Sequence, residues 1–206
     1  MRVVGRHSGP VRIAAAVALV LAIGGCAAVG LGAKPPPTFD LTAANAFPRH
    51  GGGGRGQLLV SEPTVLAILD SERIVVRPAK GELGYLSGAQ WSDRLPKLIQ
   101  ARIVQSFENA NRLRAVGRPG ERLTADFDLV TDIRAFGVAL ADNGSFAEVE
   151  ISAKVVVDKS GRIIAGRVFR ATVPAPSSDG PAAAAALDEA FHRVIIEMVL
   201  WAVRLV

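Results

Sequence analysis

The sequence predicts an α+β fold, a mostly antiparallel sheet with two main helices packed on one face. Three segments in the second half of the chain alternate apolar and polar residues with a period of two, which is typical of strands with one buried and one solvated face. Two other segments carry apolar residues at three- and four-residue spacing, the pattern of amphipathic helices. The resulting order, ββ-α-βββ-α, favours helices that cover one face of the sheet.

Short apolar runs predict the strands of the first half. Residues 38–41 can form a short first strand, and residues 58–60 and 73–77 form the next two. Pro78 ends the last of these, because proline cannot donate to a strand ladder. Residues 83–86 add a further short piece.

The first helix is predicted from an apolar stripe that begins at Trp91 and recurs every three or four residues as far as Phe107. Ser92 is a plausible N-cap, and Pro96 must then lie in or near the first turn. The simplest role for Trp91 is that of a core anchor at the start of this helix. Binding of a partner by its side chain is the alternative.

The strongest strand signal predicts a meander of three long strands over residues 123–135, 149–157 and 162–173. Short turns, one with Asn143-Gly144 and one with Asp158-Lys159-Ser160-Gly161, connect them, as in antiparallel hairpins.

A break over residues 174–180 follows the meander, and Pro181 then opens a final helix, at a position where proline is favoured. The apolar stripe of this helix runs from Leu187 to Leu205.

Residues 1–25 are typical of a lipoprotein signal peptide. Three arginines precede an uncharged apolar run over 13–23, and Ile23-Gly24-Gly25 lead to Cys26. The run is short for a membrane span, which needs about 20 residues. The pattern resembles signal peptidase II substrates, in which the cysteine becomes the first residue and is acylated, palmitate being one of the acyl groups. A plain signal peptide, or an anchor helix with an incidental cysteine, is the alternative.

Cys26 is the single cysteine of the chain, so it has no internal disulfide partner, and its position favours modification. Ala27 follows it instead of the aspartate that retains lipoproteins in the inner membrane of enteric bacteria, which favours the outer membrane. Residues 26–56 are then expected to be a lipid-anchored flexible tether, since glycines 51–54 disfavour regular structure. Residues 57–206 form the predicted domain.

Charge and motif content argue against several functions. Loss of Arg2, Arg6 and Arg12 with the leader lowers the basic residues from 24 to 21, against 19 acidic ones, so we expect no nucleic-acid partner. There is no zinc-ligand spacing, no Gly-x-Ser-x-Gly elbow and no Ser-x-x-Lys motif. The histidines, His7, His50 and His192, are scattered. We therefore expect no catalytic residue, no metal and no cofactor.

Two charged clusters remain as candidate sites. Five acidic residues on the meander are a candidate calcium site, although the solvated face of the sheet is the simpler explanation. A basic patch between the first helix and the meander is a candidate contact for anionic headgroups or an acidic partner, although it would also serve simply to solubilise a connection. The acidic residues are Asp126, Asp128, Asp132, Glu148 and Glu150, and the basic ones are Arg112, Arg114, Arg118 and Arg122.

Several motifs resemble those of the ABC-type transport auxiliary lipoprotein family over residues 38–205. The most specific stretch runs from Asp70 to Pro96, where Leu-Asp-x-x-Arg-Ile and Trp-x-x-x-Leu-Pro occur at the expected separation. The other motifs are Phe39-Asp40-Leu41, Leu59-Val60-Ser61-Glu62-Pro63, Tyr85, Val157-Asp158-Lys159-Ser160-Gly161 and Val168-Phe169.

The resemblance implies a part in lipid traffic between two membranes. Such lipoproteins accompany mammalian-cell-entry (MCE) proteins, which form hydrophobic tunnels, and inner-membrane ABC permeases, whose ATPase supplies the energy. The chain would be a docking subunit without catalytic residues, held by acylated Cys26 on the periplasmic face of the outer membrane. Whether it forms a homo-oligomer is left open by the sequence. Two alternatives are an adaptor for another envelope machine, such as a cell-wall synthase activator or assembly factor, and a lipid-anchored hydrolase.

Overall fold

A computed structural model describes residues 35–48, 54–78, 81–142, 144–177 and 179–206. The predicted signal peptide and Cys26 lie outside these residues. Within them the chain forms nine strands and two helices, with one 3-10 turn at Ala67–Leu69. The elements are β1 Thr38–Phe39, β2 Gln57–Val60, β3 Thr64–Val65, β4 Arg73–Arg77, β5 Gly84–Trp91, α1 Leu95–Ala110, β6 Ala115–Gly117, β7 Phe127–Ala141, β8 Gly144–Val157, β9 Arg162–Ala175 and α2 Gly180–Ala202.

The predicted meander is confirmed. β7 pairs antiparallel with β8, from Phe127 opposite Val157 to Ala141 opposite Gly144. β8 pairs antiparallel with β9 in the same way. A bulge between Ile133 and Ala135 shifts the register of β7, so its buried face passes from odd-numbered to even-numbered residues.

The prediction of a mostly antiparallel sheet was wrong, because the sheet is mixed. The other edge of β7 pairs in succession with β2, β3 and β4, and all three run parallel to it. β6 joins β2 and β1 joins β5, again in parallel. Five of the eight pairings in the described part of the chain are therefore parallel. Parallel neighbours need long crossover connections, so no local turn motif predicts them.

The core lies between one face of this sheet and the two helices. Val60, Leu129 and Val155 stand in register across β2, β7 and β8, and all three are fully buried. α1 contacts β2 and β6, α2 contacts β8 and β9, and the helices contact each other. Neither described helix combines the length and apolar character of a transmembrane span.

Helix starts match the prediction only at α2. Asp179 caps α2 and accepts a hydrogen bond from the N–H of Ala182 at 2.9 Å, next to the proline predicted to open it. α1 begins at Leu95, not at Trp91, and its N-cap is Arg94 instead of Ser92. The expectation that Pro96 lies in the first turn is confirmed.

The folded part begins earlier than residue 57, the predicted domain boundary. β1 pairs with the end of β5, and the following residues Leu41 and Ala44 are buried. The backbone N–H of Thr42 also donates to Asp188 at 2.7 Å. Residues 38–44, which fall within the predicted tether over 26–56, are therefore integral to the fold.

Candidate functional site

The two most specific motif stretches, residues 69–74 and 90–96, come together where α1 begins. The N–H of Trp91 donates to the carbonyl of Glu72 at 2.6 Å, and the N–H of Leu95 donates to that of Ser71 at 3.0 Å. These backbone bonds hold the end of β5 and the start of α1 against the segment that precedes β4. The spacing of the motifs thus reflects a structural junction.

Arg94 adds an ionic link to this junction. Its guanidinium pairs with Asp70, and its Nη1 lies 3.3 Å from Oε1 of Glu62. Both ion pairs are about half exposed, so each contributes little to stability. They link the loops that contain Glu62 and Asp70 to the residue before the helix.

Asp40 ties the first strand to α1. Its Oδ2 accepts a hydrogen bond from Nη2 of Arg102 at 2.5 Å. This hydrogen bond is the main reason that the pKa of the Asp40 carboxyl lies below its ordinary value. The N–H of Ser92 also donates to the carbonyl of Phe39 at 2.8 Å, so the β1 segment is fixed to the junction by both backbone and side chain.

Trp91 lies in the core and not on a surface. Its side chain is 1% exposed and meets the ring of Phe136. This matches the interpretation of Trp91 as a core anchor, although it anchors the end of a strand and not a helix. A buried indole offers no surface to a partner.

The four arginines of the predicted basic patch do not share one cavity. Arg112 and Arg114 line an open surface cavity of about 840 Å³ at the end of α1, together with Arg55. Arg118 lines a different cavity, of about 370 Å³, together with Lys97 and other residues of α1.

The hydrogen-bond and ion-pair partners of these four arginines also differ. The guanidinium of Arg112 donates to the carbonyl of Pro48, and Arg118 lies 3.5 Å from Glu121. Arg114 and Arg122 are exposed, and Arg122 has a φ of 60°.

The acidic residues of the meander are engaged by basic or polar partners. Glu150 pairs with both Arg134 and Arg170, and Glu148 pairs with Arg77. Burial raises the pKa of Asp128, whose carboxylate accepts from the Ser61 hydroxyl at 2.9 Å. Asp126 accepts from the N–H of Gln57 and Asp132 from the hydroxyl of Thr64.

Across the part of the chain that the structure describes, no three His, Cys, Asp or Glu residues are placed to hold a metal ion. The carboxylates fit a solvated, arginine-bridged sheet face better than the calcium site considered from the sequence. Of the three histidines, only His192 lies among the described residues, on α2.

A small apolar cavity of about 80 Å³ lies beside β4, and the sequence did not predict it. Leu66 and Leu83 form its exposed wall, and the small residues Ala135, Gly137 and Ala139 of β7 also line it. Pockets that enclose drug-sized ligands usually measure about 300–1,000 Å³, so this cavity does not enclose the acyl chains of a lipid.

Comparison with known proteins places the chain in a family. The family described as the ABC-type transport auxiliary lipoprotein component matches residues 39–199, which is most of the chain. This protein therefore belongs to that family, and the resemblance drawn from its motifs is confirmed.

Two relatives illustrate the match. The crystal structure of a Xanthomonas campestris protein is 31% identical, with a TM-score of 0.76, and the alignment covers 82% of this chain and 95% of that one. An uncharacterized protein of Bradyrhizobium diazoefficiens is 36% identical over 146 residues, which cover 71% of this chain and 39% of that protein. The aligned region therefore spans well under half of the Bradyrhizobium protein.

Proposed function

We propose that this lipoprotein is a docking subunit of an MCE-type intermembrane lipid transport system, held on the periplasmic face of the outer membrane. The observation that carries the proposal is the family match over residues 39–199. The specific motifs meet in a junction of backbone hydrogen bonds and exposed ion pairs, which suits a scaffold. Energy for transport would come from the ATPase of the partner permease.

The proposed organisation has three parts. Residues 1–25 direct export and are removed, acylated Cys26 anchors the protein, and the chain from Cys26 to the first strand connects the anchor to the folded domain. Several acyl chains on one residue give a lasting anchor, since each buried methylene contributes about 0.8 kcal/mol. The domain is then tethered to the membrane yet free to meet a partner.

We propose no catalytic role for the domain. Its clustered carboxylates are bound by arginines, hydroxyls or a backbone N–H, and these contacts stabilise the sheet face. The apolar cavity beside β4 is small, so the domain is better suited to holding a lipid-carrying partner than to carrying the lipid itself.

Arg112 and Arg114 are the proposed contact with that partner. Both follow the end of α1 and line the same open cavity as Arg55. A cluster of cations at an open surface attracts an acidic patch on another protein and raises the rate of encounter. Arg118 and Arg122 extend the basic segment along the chain.

Mild crosslinking of the full-length protein in membranes, followed by purification, tests the proposal. We expect to recover an MCE-type protein without added ATP. Reversal of Arg112 and Arg114 to Glu should weaken this capture, most strongly at low salt, because exposed charges are screened by salt. The matched control is Arg193→Glu, at an exposed arginine of α2.

One outcome would contradict the docking role, and another would contradict only the proposed contact. Recovery of a cell-wall synthase in place of any MCE-type protein would favour an envelope adaptor of another kind. Equal capture by the charge-reversed and control variants would remove the arginines from the contact while leaving the docking role to other residues.

A further inference from the structure

The outer strand of the meander, β9, is a long sheet edge. It runs over Arg162–Ala175 and, within the described residues, pairs only with β8. An edge strand presents a row of unpaired N–H and C=O groups to its open side. Such an edge can accept an extended segment of another chain as an additional strand.

The ends of β9 are protected but its middle is not. The register against β8 shifts between Val155 and Val156, near the start of β9, and Pro174 lies near its end. Bulges and prolines are the usual features that prevent pairing at an edge. Between them, residues 165–173 pair with β8 without a break, and the side chain of Val168 is 42% exposed.

The charge of β9 indicates the chemistry of its partner. The strand contains three arginines, Arg162, Arg167 and Arg170, and no acidic residue. Arg167 lies 3.2 Å from Glu197 and Arg170 lies 2.5 Å from Glu150. Both arginine side chains are more than half exposed, and Glu150, which is 14% exposed, has a second partner in Arg134. Each arginine can therefore exchange its partner for a carboxylate on an incoming chain.

A second copy of this chain is a poor occupant of the edge. Pairing two β9 strands would place six arginines and no acidic strand residue at one seam, and like charges close together on facing strands are destabilising. An extended segment with acidic side chains would instead place carboxylates beside Arg167 and Arg170. Arg167 and Arg170 are three residues apart and lie on opposite faces of β9. The segment therefore needs acidic residues at the same spacing, with an apolar residue beside Val168 on the face of Arg170.

We propose that the middle of β9, residues 165–173, binds an extended acidic segment of a partner protein by strand addition. The backbone groups of the edge provide affinity, and the arginines select for acidic side chains. The proposal goes beyond the transport role, because it does not depend on Arg112 and Arg114 or on the identity of the partner.

The test uses the full chain in detergent micelles and a synthetic peptide of valine and glutamate, as long as residues 165–173, with glutamates three residues apart to match Arg167 and Arg170. We expect the peptide to bind and to slow hydrogen exchange of the β9 amides. Two control peptides separate the contribution of charge from that of backbone hydrogen bonding. One replaces glutamate with lysine, and the other keeps the glutamates but carries N-methyl groups along the pairing edge. Both should bind at least about tenfold more weakly.

Variants of the protein complete the test. Arg167→Glu combined with Arg170→Glu should weaken peptide binding about tenfold or more, whereas Arg193→Glu should leave it unchanged. If the double reversal lowers the melting temperature, Arg167→Gln with Arg170→Gln tests the same contacts with smaller charge change.

Three results would overturn the proposal. Equal binding of the N-methylated peptide would show simple charge attraction without strand addition. Unchanged exchange of the β9 amides in the presence of bound peptide would place the contact elsewhere. Protection of β9 that rises with protein concentration in the absence of peptide would identify a second copy as the occupant.

Discussion

The indole of Trp91 meets the ring of Phe136 edge to face, with centroids 5.8 Å apart and planes inclined by 79°. Phe136 in turn lies 6.1 Å from Phe191. This row of three rings joins the end of β5, the middle of β7 and helix α2. Edge-to-face pairs are a favoured arrangement of aromatic rings, so the row stabilises the point where the three elements meet.

Replacement of Trp91 by alanine is expected to lower the free energy of unfolding by about 3–5 kcal/mol, because it removes a large buried side chain and leaves a cavity. Trp91→Phe should lose less stability, since it keeps an aromatic ring against Phe136. Thermal unfolding of both variants measures the difference. An unchanged melting temperature in Trp91→Ala, accompanied by loss of partner capture, would identify Trp91 as a binding residue.

Gly137 is expected to be intolerant of even the smallest side chain. A Cβ at this position would lie 2.6 Å from the carbonyl oxygen of Val75 on the neighbouring strand β4. The parallel pairing of β4 with β7 would have to open, so Gly137→Ala should cost about 1–3 kcal/mol.

Gly166→Ala is the matched control for Gly137→Ala. Its Cβ would meet Lys154 Cγ at 3.6 Å and the carbonyl oxygen of Ala153 at 3.7 Å, which are ordinary contacts. Alanine should therefore be neutral or stabilise β9 by about 0.5–1 kcal/mol. Chemical denaturation compares the two variants, and an equal loss in both would show that the close approach of β4 is not the cause.

Asp40 is expected to make stability depend on pH in the acid range. The hydrogen bond from Arg102 lowers the pKa of the Asp40 carboxyl below its ordinary value of 3.8. The ionised carboxylate therefore stabilises the folded state at neutral pH. This stabilisation is lost as the pH falls from 3.8, the ordinary pKa, through the lowered pKa of the folded state.

Asp40→Asn should consequently be less stable than the unchanged protein at neutral pH. The gap between their free energies of unfolding should narrow in acid, because residue 40 is then uncharged in both proteins. Denaturation at a series of pH values measures the gap. Asp142→Asn, at an exposed loop aspartate, is the control. A gap that stays constant down to the acid range would contradict the assigned role of the Arg102 contact.

Cys26→Ser should leave an unlipidated precursor, because the proposed acylation requires the sulfur atom. Metabolic labelling with a fatty-acid analogue provides the measurement. Ala27→Ser keeps the sulfur and changes the adjacent residue, so it should still incorporate label. Label in the Cys26→Ser protein would show that the anchor lies at another residue.

Local patterns predicted the meander and the final helix well. The alternation from Val149 to Val157 corresponds to β8, and Pro181 lies in the first turn of α2 with Asp179 as its cap. Side chains on adjacent turns or alternate strand positions contact the same surface, so their spacing along the chain carries the information.

The misassigned elements are those whose environment depends on distant residues. Trp91 and Leu95 are spaced like residues of one helix, but Trp91 pairs with Phe39 as the last residue of β5. Residues 84–86 of the piece expected at 83–86 are part of that eight-residue strand, and Leu83 lies outside it. Pairing with Phe39, about 50 residues away, decided that Trp91 ends a strand.

The candidate binding surfaces were also only partly predictable from the sequence. The basic residues between α1 and the meander were evident from composition, but only the structure separates Arg112 and Arg114 from Arg118. The exposed edge of β9 was also invisible in the sequence, because a strand pattern does not say whether one or both of its edges are paired.

The sequence by itself determined which segments become strands and helices in the meander and at the C-terminus, and its motifs determined the family. Those properties depend on neighbouring residues and on residue identities. The tertiary structure alone decided that β2, β3 and β4 lie parallel along β7 and that Gly137 admits the backbone of β4. It also decided that β9 pairs on one side only among the residues described. The parallel pairings join residues that are roughly 60 to 70 positions apart in the chain. Hydrophobic burial drives such distant segments together, but no local sequence pattern specifies which strands pair.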